Sequence, residues 1–222
     1  PKPGTTGGAG YASLVVSEGA GVKQYVTVMG RGAVGVAAAD GKFLWHYPRI
    51  ANGTANICTP VTQGDFVFVS TAYSAGAALL KLSKAADGVK AEEVYFLNAD
   101  TFQCHHGGFV RIGEYIYGAH GHNAGNPICI EMATGKVVWG AKQVGGGSGA
   151  VLYADGNLYY RYDNDIVALI EASPKGYVLK GQFKAPARPG MGGPGWAHPV
   201  ICDGKLYLRH ADVLFCYDVK AK

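Results

Sequence analysis

The sequence carries one twelve-residue pattern twice, as VGVAAADGKFLW at residues 34–45 and as ICIEMATGKVVW at residues 128–139. In each copy, an apolar run is followed by an Asp-Gly or Thr-Gly pair, an outward-pointing lysine and a second apolar run that ends in tryptophan. Glycine permits the positive φ that a tight turn needs. The pattern therefore predicts two short antiparallel strands joined by a turn.

A second pattern occurs five times and predicts a β-hairpin each time, because a short apolar run is followed by a tight turn and an alternating aromatic run. The five copies span residues 14–28, 60–69, 108–117, 150–160 and 199–208. Four of them have tight turns, at Gly64-Asp65, Ile112-Gly113, Asp155-Gly156 and Asp203-Gly204. The hairpins recur in steps of 46, 49, 42 and 48 residues, measured at Val15, Val61, Val110, Leu152 and Val200.

This period predicts an all-β chain of four-stranded antiparallel units, which is typical of a β-propeller. A β-sandwich also has many short strands but does not require such a repeat. The segment from 78 to 93 is predicted to be a strand-turn-strand rather than a helix. One β-propeller segment covers 1–222, with repeats at about 11–47, 57–96, 105–142, 148–184 and 196–222.

The composition excludes several classes of protein. Hydrophobic residues make up 48% of the chain and charged residues 16%, which indicates a globular fold rather than a disordered polymer. No apolar run approaches the ~20 residues of a transmembrane helix. The net charge is +4, but lysines and arginines are scattered singly, so no nucleic-acid partner is expected. The five cysteines form no CxxC motif.

The tryptophan-ending motif at 40–45 and 134–139 resembles the tryptophan-docking repeat of the pyrroloquinoline-quinone-like (PQQ-like) β-propellers. That family includes quinoprotein alcohol dehydrogenases and a bacterial outer-membrane assembly lipoprotein. The resemblance implies an extracytoplasmic protein, periplasmic or secreted, with Trp45 and Trp139 docking between blades. Because members commonly have seven or eight blades, the five repeats are expected to be the C-terminal part of such a ring.

The last repeat offers three strands, and the prolines at 1 and 3 make the start of the chain a poor closing strand. Further blades or another chain would then close the ring; a loosely closed five-bladed ring is the alternative.

The long B–C and D–A loops of the repeats share one face, because antiparallel strands alternate in direction. All seven histidines lie on that looped face or at its rim, and variable loops on a rigid scaffold are common binding sites. The candidate ligand-binding residues at the mouth of a central channel are Cys58, His105, His106, Ser148, Arg161, Trp196, His198 and Arg209. Arg161 and Arg209 occupy equivalent places and could clamp a carboxylate, or pair with nearby aspartates at the rim.

Copper or zinc on His106, His120, His122 and His198 is one hypothesis, and the other is that these imidazoles only hydrogen-bond loop backbone. The resemblance also implies PQQ with calcium as a possible cofactor, stacked on Trp196. The acidic and amide groups on the correct face, Asp163, Asn164, Asp165 and Asp212, are expected in exposed loops. The favoured function is a rigid scaffold that binds a protein or small ligand; a PQQ-dependent alcohol dehydrogenase and a structural subunit of a larger complex are the alternatives.

Overall fold

The computed structural model describes residues 6–86, 88–186, 193 and 195–220. These residues form nineteen strands in five antiparallel sheets, with one short 3-10 turn at Gly19–Gly21. In every sheet, each strand pairs with the next strand along the chain, and the expected all-β propeller architecture is confirmed. The prolines expected to prevent closure at the start of the chain lie outside the described residues.

The first four-stranded sheet consists of β1 (Val15–Ser17), β2 (Gln24–Met29), β3 (Gly32–Ala37) and β4 (Phe43–Tyr47). The second consists of β5 (Val61–Gln63), β6 (Phe66–Thr71), β7 (Gly76–Ala85) and β8 (Gly88–Leu97). The third consists of β9 (Phe109–Ile112), β10 (Tyr115–His120), β11 (Asn126–Glu131) and β12 (Val137–Gly140). The fourth consists of β13 (Gly149–Ala154), β14 (Asn157–Tyr162), β15 (Ile166–Glu171) and β16 (Leu179–Lys184).

The fifth sheet has three strands among the described residues, β17 (Val200–Cys202), β18 (Lys205–His210) and β19 (Val213–Asp218). The segment from 78 to 93 forms two strands, as its sequence predicts. One turn lies a residue later than expected: β9 ends at Ile112, so Gly113 and Glu114 form the loop. Gly113 has a φ of 58°, and the backbone conformation that glycine alone adopts freely fixes the turn there.

The chain divides into two compact units, and each is described by itself. The first holds the described residues up to His105 together with Glu131–Lys136. Its core joins the first and second sheets through buried residues such as Val26, Trp45, Val69 and Leu80. The second unit holds His106–Ile130 and the described residues from Val137 onward.

Two clusters of buried apolar residues lie among the described residues of the second unit. One joins the third and fourth sheets around Tyr117, Cys129, Leu158 and Tyr160. The other joins the fourth and fifth sheets and is smaller, with Val167, Ala185, Leu206 and Leu208 as its buried members. Burial of apolar area at about 25 cal/mol per Å² is the main force that holds such sheets together.

A β-bulge recurs at the same place in all four four-stranded sheets, where one residue of the fourth strand is left without a partner. The register shifts after the pairs Gly35–Trp45, Leu79–Tyr95, Cys129–Trp139 and Leu169–Gly181. We call the fourth-strand member of each pair the docking position. It holds an aromatic residue in three sheets and glycine in the fourth.

Two of the three aromatic residues at the docking position form hydrogen bonds to loops outside their own sheets. Trp139 donates its indole N–H to the backbone oxygen of Ser173 at 2.8 Å, between β15 and β16. Tyr95 donates its hydroxyl to the backbone oxygen of Met132 at 2.7 Å. Trp45 instead donates to the side-chain oxygen of Gln24 in its own sheet, at 2.6 Å.

Candidate functional site

Two of the candidate binding residues lie in the first unit, where they fix a loop. The Cys58 thiol, which is buried, donates to the backbone oxygens of Cys104 at 3.2 Å and His105 at 3.0 Å. The His105 Nε2 atom lies 3.1 Å from the Tyr73 hydroxyl, and the two rings meet edge to face. These side chains therefore hold the segment before β9 in place.

The other six candidates lie in the second unit, and Arg161 is the most deeply buried of them. Only 1% of its surface is exposed, so the expectation of a rim residue is wrong. Its Nη1 atom donates to the backbone oxygens of Ala197 at 2.9 Å and Arg209 at 2.6 Å, and its Nη2 atom lies 3.5 Å from Asp165 Oδ1. Burial lowers the pKa of Arg161, and the nearby Asp165 carboxylate opposes that shift. Arg161 thus links β14 to the loop before β17 and to β18.

The aspartates that follow β14 are also less exposed than the sequence suggests. Asp165 has a φ of 65°, and its Oδ1 atom lies 3.5 Å from Nη2 of Arg161 and 3.0 Å from Nδ1 of His210. Its side chain is 13% exposed and that of Asp163 is 22% exposed, whereas Asn164 and Asp212 are exposed as expected. The two aspartates therefore belong to the internal support of the loops.

Asp163 connects three loops beneath Trp196. Its Oδ2 atom accepts the backbone N–H of Ser148 at 2.9 Å, and its Oδ1 atom lies 3.8 Å from His106 Nε2. Burial raises the pKa of Asp163, while hydrogen bonds from the Ser148 backbone and the Trp196 side chain partly offset this effect. The His106 and Trp196 rings lie 4.6 Å apart at 41°. Trp196 is nevertheless 53% exposed, so one part of the indole is held and the rest faces solvent.

His198 and a pair of glycines fix the loops next to this network. The Nε2 atom of His198 lies 2.9 Å from the backbone oxygen of His106. A Cβ atom on Gly107 would lie 1.7 Å from the backbone oxygen of Gly149, so only glycine permits this close approach.

Arg209 differs from its repeat equivalent Arg161 because it is exposed. Its Nε atom donates to the backbone oxygen of Ala211 at 2.9 Å, and the described residues supply no partner for its two terminal nitrogens. It lies beside a small cleft of about 180 Å³ that Gly195, Trp196, Ala197, His210 and Ala211 also line. The cleft thus combines an exposed indole, a guanidinium group and a rigid base.

The four histidines considered as metal ligands are not gathered into one group. His120 lines a separate cleft of about 330 Å³ together with Asn126 and Lys142, and the backbone oxygen of His122 accepts from Ser148 Oγ at 3.2 Å. Within the described ranges, no three His, Cys, Asp or Glu side chains lie together so that they could hold a metal ion.

The described residues also do not fit a quinone held by calcium. Calcium needs about six to eight converging oxygens, but Asp163 already accepts the backbone N–H of Ser148, and the Arg161 guanidinium lies against Asp165. One side of the proposed stacking residue Trp196 contacts His106. None of the five cysteines, all of which the structure describes, forms a disulfide.

Sequence reasoning missed the role of the aspartates and of the backbone at 195 and 197. A Cβ atom on Gly195 would lie 2.6 Å from Nη2 of Arg161, so that glycine leaves room for the guanidinium. The signal available in the sequence was the alternation of Arg161, Asp163 and Asp165 beyond the end of an aromatic strand.

Successive four-stranded antiparallel sheets with an aromatic docking position define the chain as a PQQ-like β-propeller protein. A family model described as outer membrane protein assembly factor BamB (PQQ_2) matches residues 4–141, and the chain belongs to that family.

Solved structures agree with this assignment. BamB from Moraxella catarrhalis is 12% identical, with a TM-score of 0.62 over 97% of this chain and 60% of that protein. Quinohemoprotein alcohol dehydrogenase from Comamonas testosteroni is 11% identical, with a TM-score of 0.60 over 94% of this chain and 46% of that protein. The chain therefore spans less than two thirds of either relative, and at these identities the likeness concerns the fold. No curated protein sequence matches the chain.

One further finding bears on the membrane: no helix in the part of the chain that the structure describes has the length and apolar character needed to span a bilayer.

Proposed function

We propose that this chain is part of a rigid extracytoplasmic scaffold that binds a partner protein through the surface around Trp196 and Arg209. The observation that carries the proposal is that Trp196 is exposed next to loops that hydrogen bonds and ion pairs of Arg161, Asp163 and Asp165 hold together. Tryptophan and arginine are the residues that most often contribute large binding energies at protein interfaces.

The rigid base supports this proposal. Arg161, Asp163 and Asp165 bind backbone and side-chain groups from separate loops, so the indole is fixed before any partner arrives. A pre-organised surface loses less conformational entropy on binding than a mobile one does. The family is described as an outer membrane protein assembly factor, which is also consistent with a protein partner.

Apart from Arg209, the polar side chains in this region are committed to structural contacts. The guanidinium of Arg161 is buried against backbone oxygens, and the imidazole of His198 contacts the backbone oxygen of His106. This arrangement favours binding over acid–base chemistry. We therefore prefer the scaffold to the dehydrogenase alternative, since no observation at this site favours the latter.

Quantitative co-purification with the full-length protein from its own cells tests the proposal. We expect Trp196→Ala to reduce recovery of at least one specific partner about tenfold, which corresponds to about 1.4 kcal/mol. The control is Tyr153→Ala, which removes another partly exposed aromatic side chain from β13. Unchanged recovery with Trp196→Ala, in a protein of normal thermal stability, would contradict the proposal. Fractionation of the same cells tests the extracytoplasmic location.

A further inference from the structure

The cavity at Gly181 in the second unit lies where the other four-stranded sheets carry an aromatic ring. It has a volume of about 320 Å³ and is lined mainly by apolar side chains of the fourth and fifth sheets. The lining residues are Tyr159, Val167, Leu169, Gly181, Gln182, Phe183, Leu206 and Val219. Gly181 pairs with Leu169 just before the bulge, so it occupies the docking position.

The backbone does not require glycine at this position. A Cβ atom on Gly181 would meet no heavy atom within 4 Å, and its φ lies outside the left-handed region. Gly35 presents the opposite case, because a Cβ atom there would lie 2.2 Å from the indole nitrogen of Trp45. The absence of a side chain at Gly181 therefore leaves space in front of the strand rather than relieving a clash.

Leu169 does not by itself exclude an aromatic ring from this space. In the second sheet, the corresponding pair is Leu79 and Tyr95, so a leucine on the third strand is compatible with an aromatic group beside it.

The fifth sheet forms the opposite wall of the cavity, and its backbone hydrogen bonds match those of the fourth sheet. Val219 donates its N–H to the oxygen of Gly204 at 2.9 Å, as Ala172 donates to Gly156 at 3.0 Å. Ala172 directly precedes Ser173, whose oxygen accepts the indole N–H of Trp139.

The fourth strand, which borders the cavity, is open to solvent. All six residues of β16 are exposed, including Phe183 at 38%. Phe183 contacts Tyr217, with ring centroids 5.0 Å apart, and so forms an aromatic border of the cavity. An apolar cavity of this kind gains free energy when a ligand replaces weakly held water or empty space.

We propose that this cavity is a binding site for a small planar aromatic molecule of the indole class, which occupies the space that Trp139 fills in the preceding sheet. A cavity of about 150 Å³ is enough for benzene, so about 320 Å³ accommodates a two-ring ligand. This site is independent of the surface around Trp196.

Titration of the purified chain with 5-fluoroindole, followed by ¹⁹F NMR, tests the proposal. We expect saturable binding with a dissociation constant between about 10 µM and 1 mM, the range of fragment-sized ligands. Unlabelled indole should displace the probe, whereas cyclohexanol should compete at least about tenfold more weakly because it lacks a planar ring. No saturable binding, or equal competition by cyclohexanol, would overturn the proposal.

Variants at neighbouring positions locate the site. Gly181→Trp should fill the cavity and weaken probe binding at least about tenfold, while Lys180→Trp adds an indole at the bulge residue and should leave binding within about twofold. Gly181→Ile provides a smaller obstruction if the tryptophan variant does not fold. Probe binding that persists within twofold in a folded Gly181 variant would place the ligand elsewhere and overturn the assignment.

Discussion

Trp139 and Ser173 are joined by a 2.8 Å hydrogen bond from the indole N–H to a backbone oxygen, which connects the third sheet to the turn between β15 and β16. The Trp139 ring also lies 6.0 Å from Tyr117 in the third sheet and 6.0 Å from Tyr177 in that turn. A single side chain thus contributes both aromatic packing and a directional bond to the contact between two successive sheets.

Trp139→Ala should therefore destabilise the fold. Loss of a large, partly buried aromatic side chain leaves a cavity, and we expect the free energy of unfolding to fall by about 3 kcal/mol. Trp139→Phe should retain the packing and lose only about 1 kcal/mol with the hydrogen bond. Urea unfolding measures both changes. The control is Trp196→Ala, which removes an exposed tryptophan side chain. An unchanged midpoint of urea unfolding for Trp139→Ala would refute the role of Trp139 in joining the two sheets.

Arg161 and Arg209 offer a second matched comparison, since they occupy equivalent strand positions but differ in burial. Arg161→Ala leaves two backbone oxygens and the Asp165 carboxylate without their guanidinium partner. We expect it to lower the free energy of unfolding by about 3–5 kcal/mol, as loss of one partner from a buried charged pair does. Arg209→Ala should change it by less than about 0.5 kcal/mol.

The same denaturant measurement tests both arginine variants. Arg161→Lys should recover little of the loss, because an ammonium group lacks the planar fork that reaches two carbonyl groups and a carboxylate together. Equal effects of the two alanine variants would show that the buried contacts of Arg161 are not important for stability.

The architecture was predictable because hairpin turns and strand periodicity are local signals. Asp155 and Gly156 both have positive φ, at 48° and 75°, as the Asp-Gly pair between two apolar runs suggests. The position of a bulge depends on how two strands pair, which the sequence alone does not show. The docking position of the fourth sheet could therefore not be predicted from the sequence. Its third and fourth strands are separated by a longer turn than those of the third sheet, and no tryptophan marks the register.

The candidate site was predicted only in part, for a related reason. Sequence alignment places Arg161 and Arg209 at equivalent positions, but it does not show which of them another sheet covers. The fifth sheet and the loop before it bury Arg161, while the described residues leave Arg209 exposed. Burial of Asp165 likewise depends on His210, which is 45 residues away in the sequence.

The buried amide of Gln24 leads to a third prediction. Its Oε1 atom accepts the indole N–H of Trp45 at 2.6 Å, and its Nε2 atom donates to the backbone oxygens of Gly19 and Val22 at 3.1 and 3.2 Å. Gln24→Leu would leave these buried groups without partners, so we expect a loss of about 2–4 kcal/mol in unfolding free energy.

A double-mutant cycle with Trp45→Phe isolates the bond between the two side chains. The coupling should be about 1–2 kcal/mol, because the phenylalanine variant has no N–H for the amide to accept. Additive effects of the two substitutions would show that the contact contributes nothing of its own.

The Cys129 thiol is fully buried beside Tyr117. We expect its ionisation to lower the free energy of unfolding at alkaline pH. Burial raises the pKa of Cys129 from 9.0 to about 11, although a hydrogen bond with Tyr117 partly opposes the shift. The unfolded chain therefore loses this proton first. The contribution is fully present below pH 9 and is lost progressively as the pH rises towards about 11, because ionisation then favours the unfolded state.

Cys129→Ala should remove this part of the pH dependence, so its unfolding free energy should fall less steeply between pH 9 and 11, by on the order of 1–2 kcal/mol. Urea unfolding under reducing conditions at several pH values measures the difference. It includes a contribution from Tyr117, because the Cys129 thiol also helps to raise the pKa of Tyr117. Parallel curves for Cys129→Ala would mean that the thiol ionises equally easily in the folded and unfolded chains.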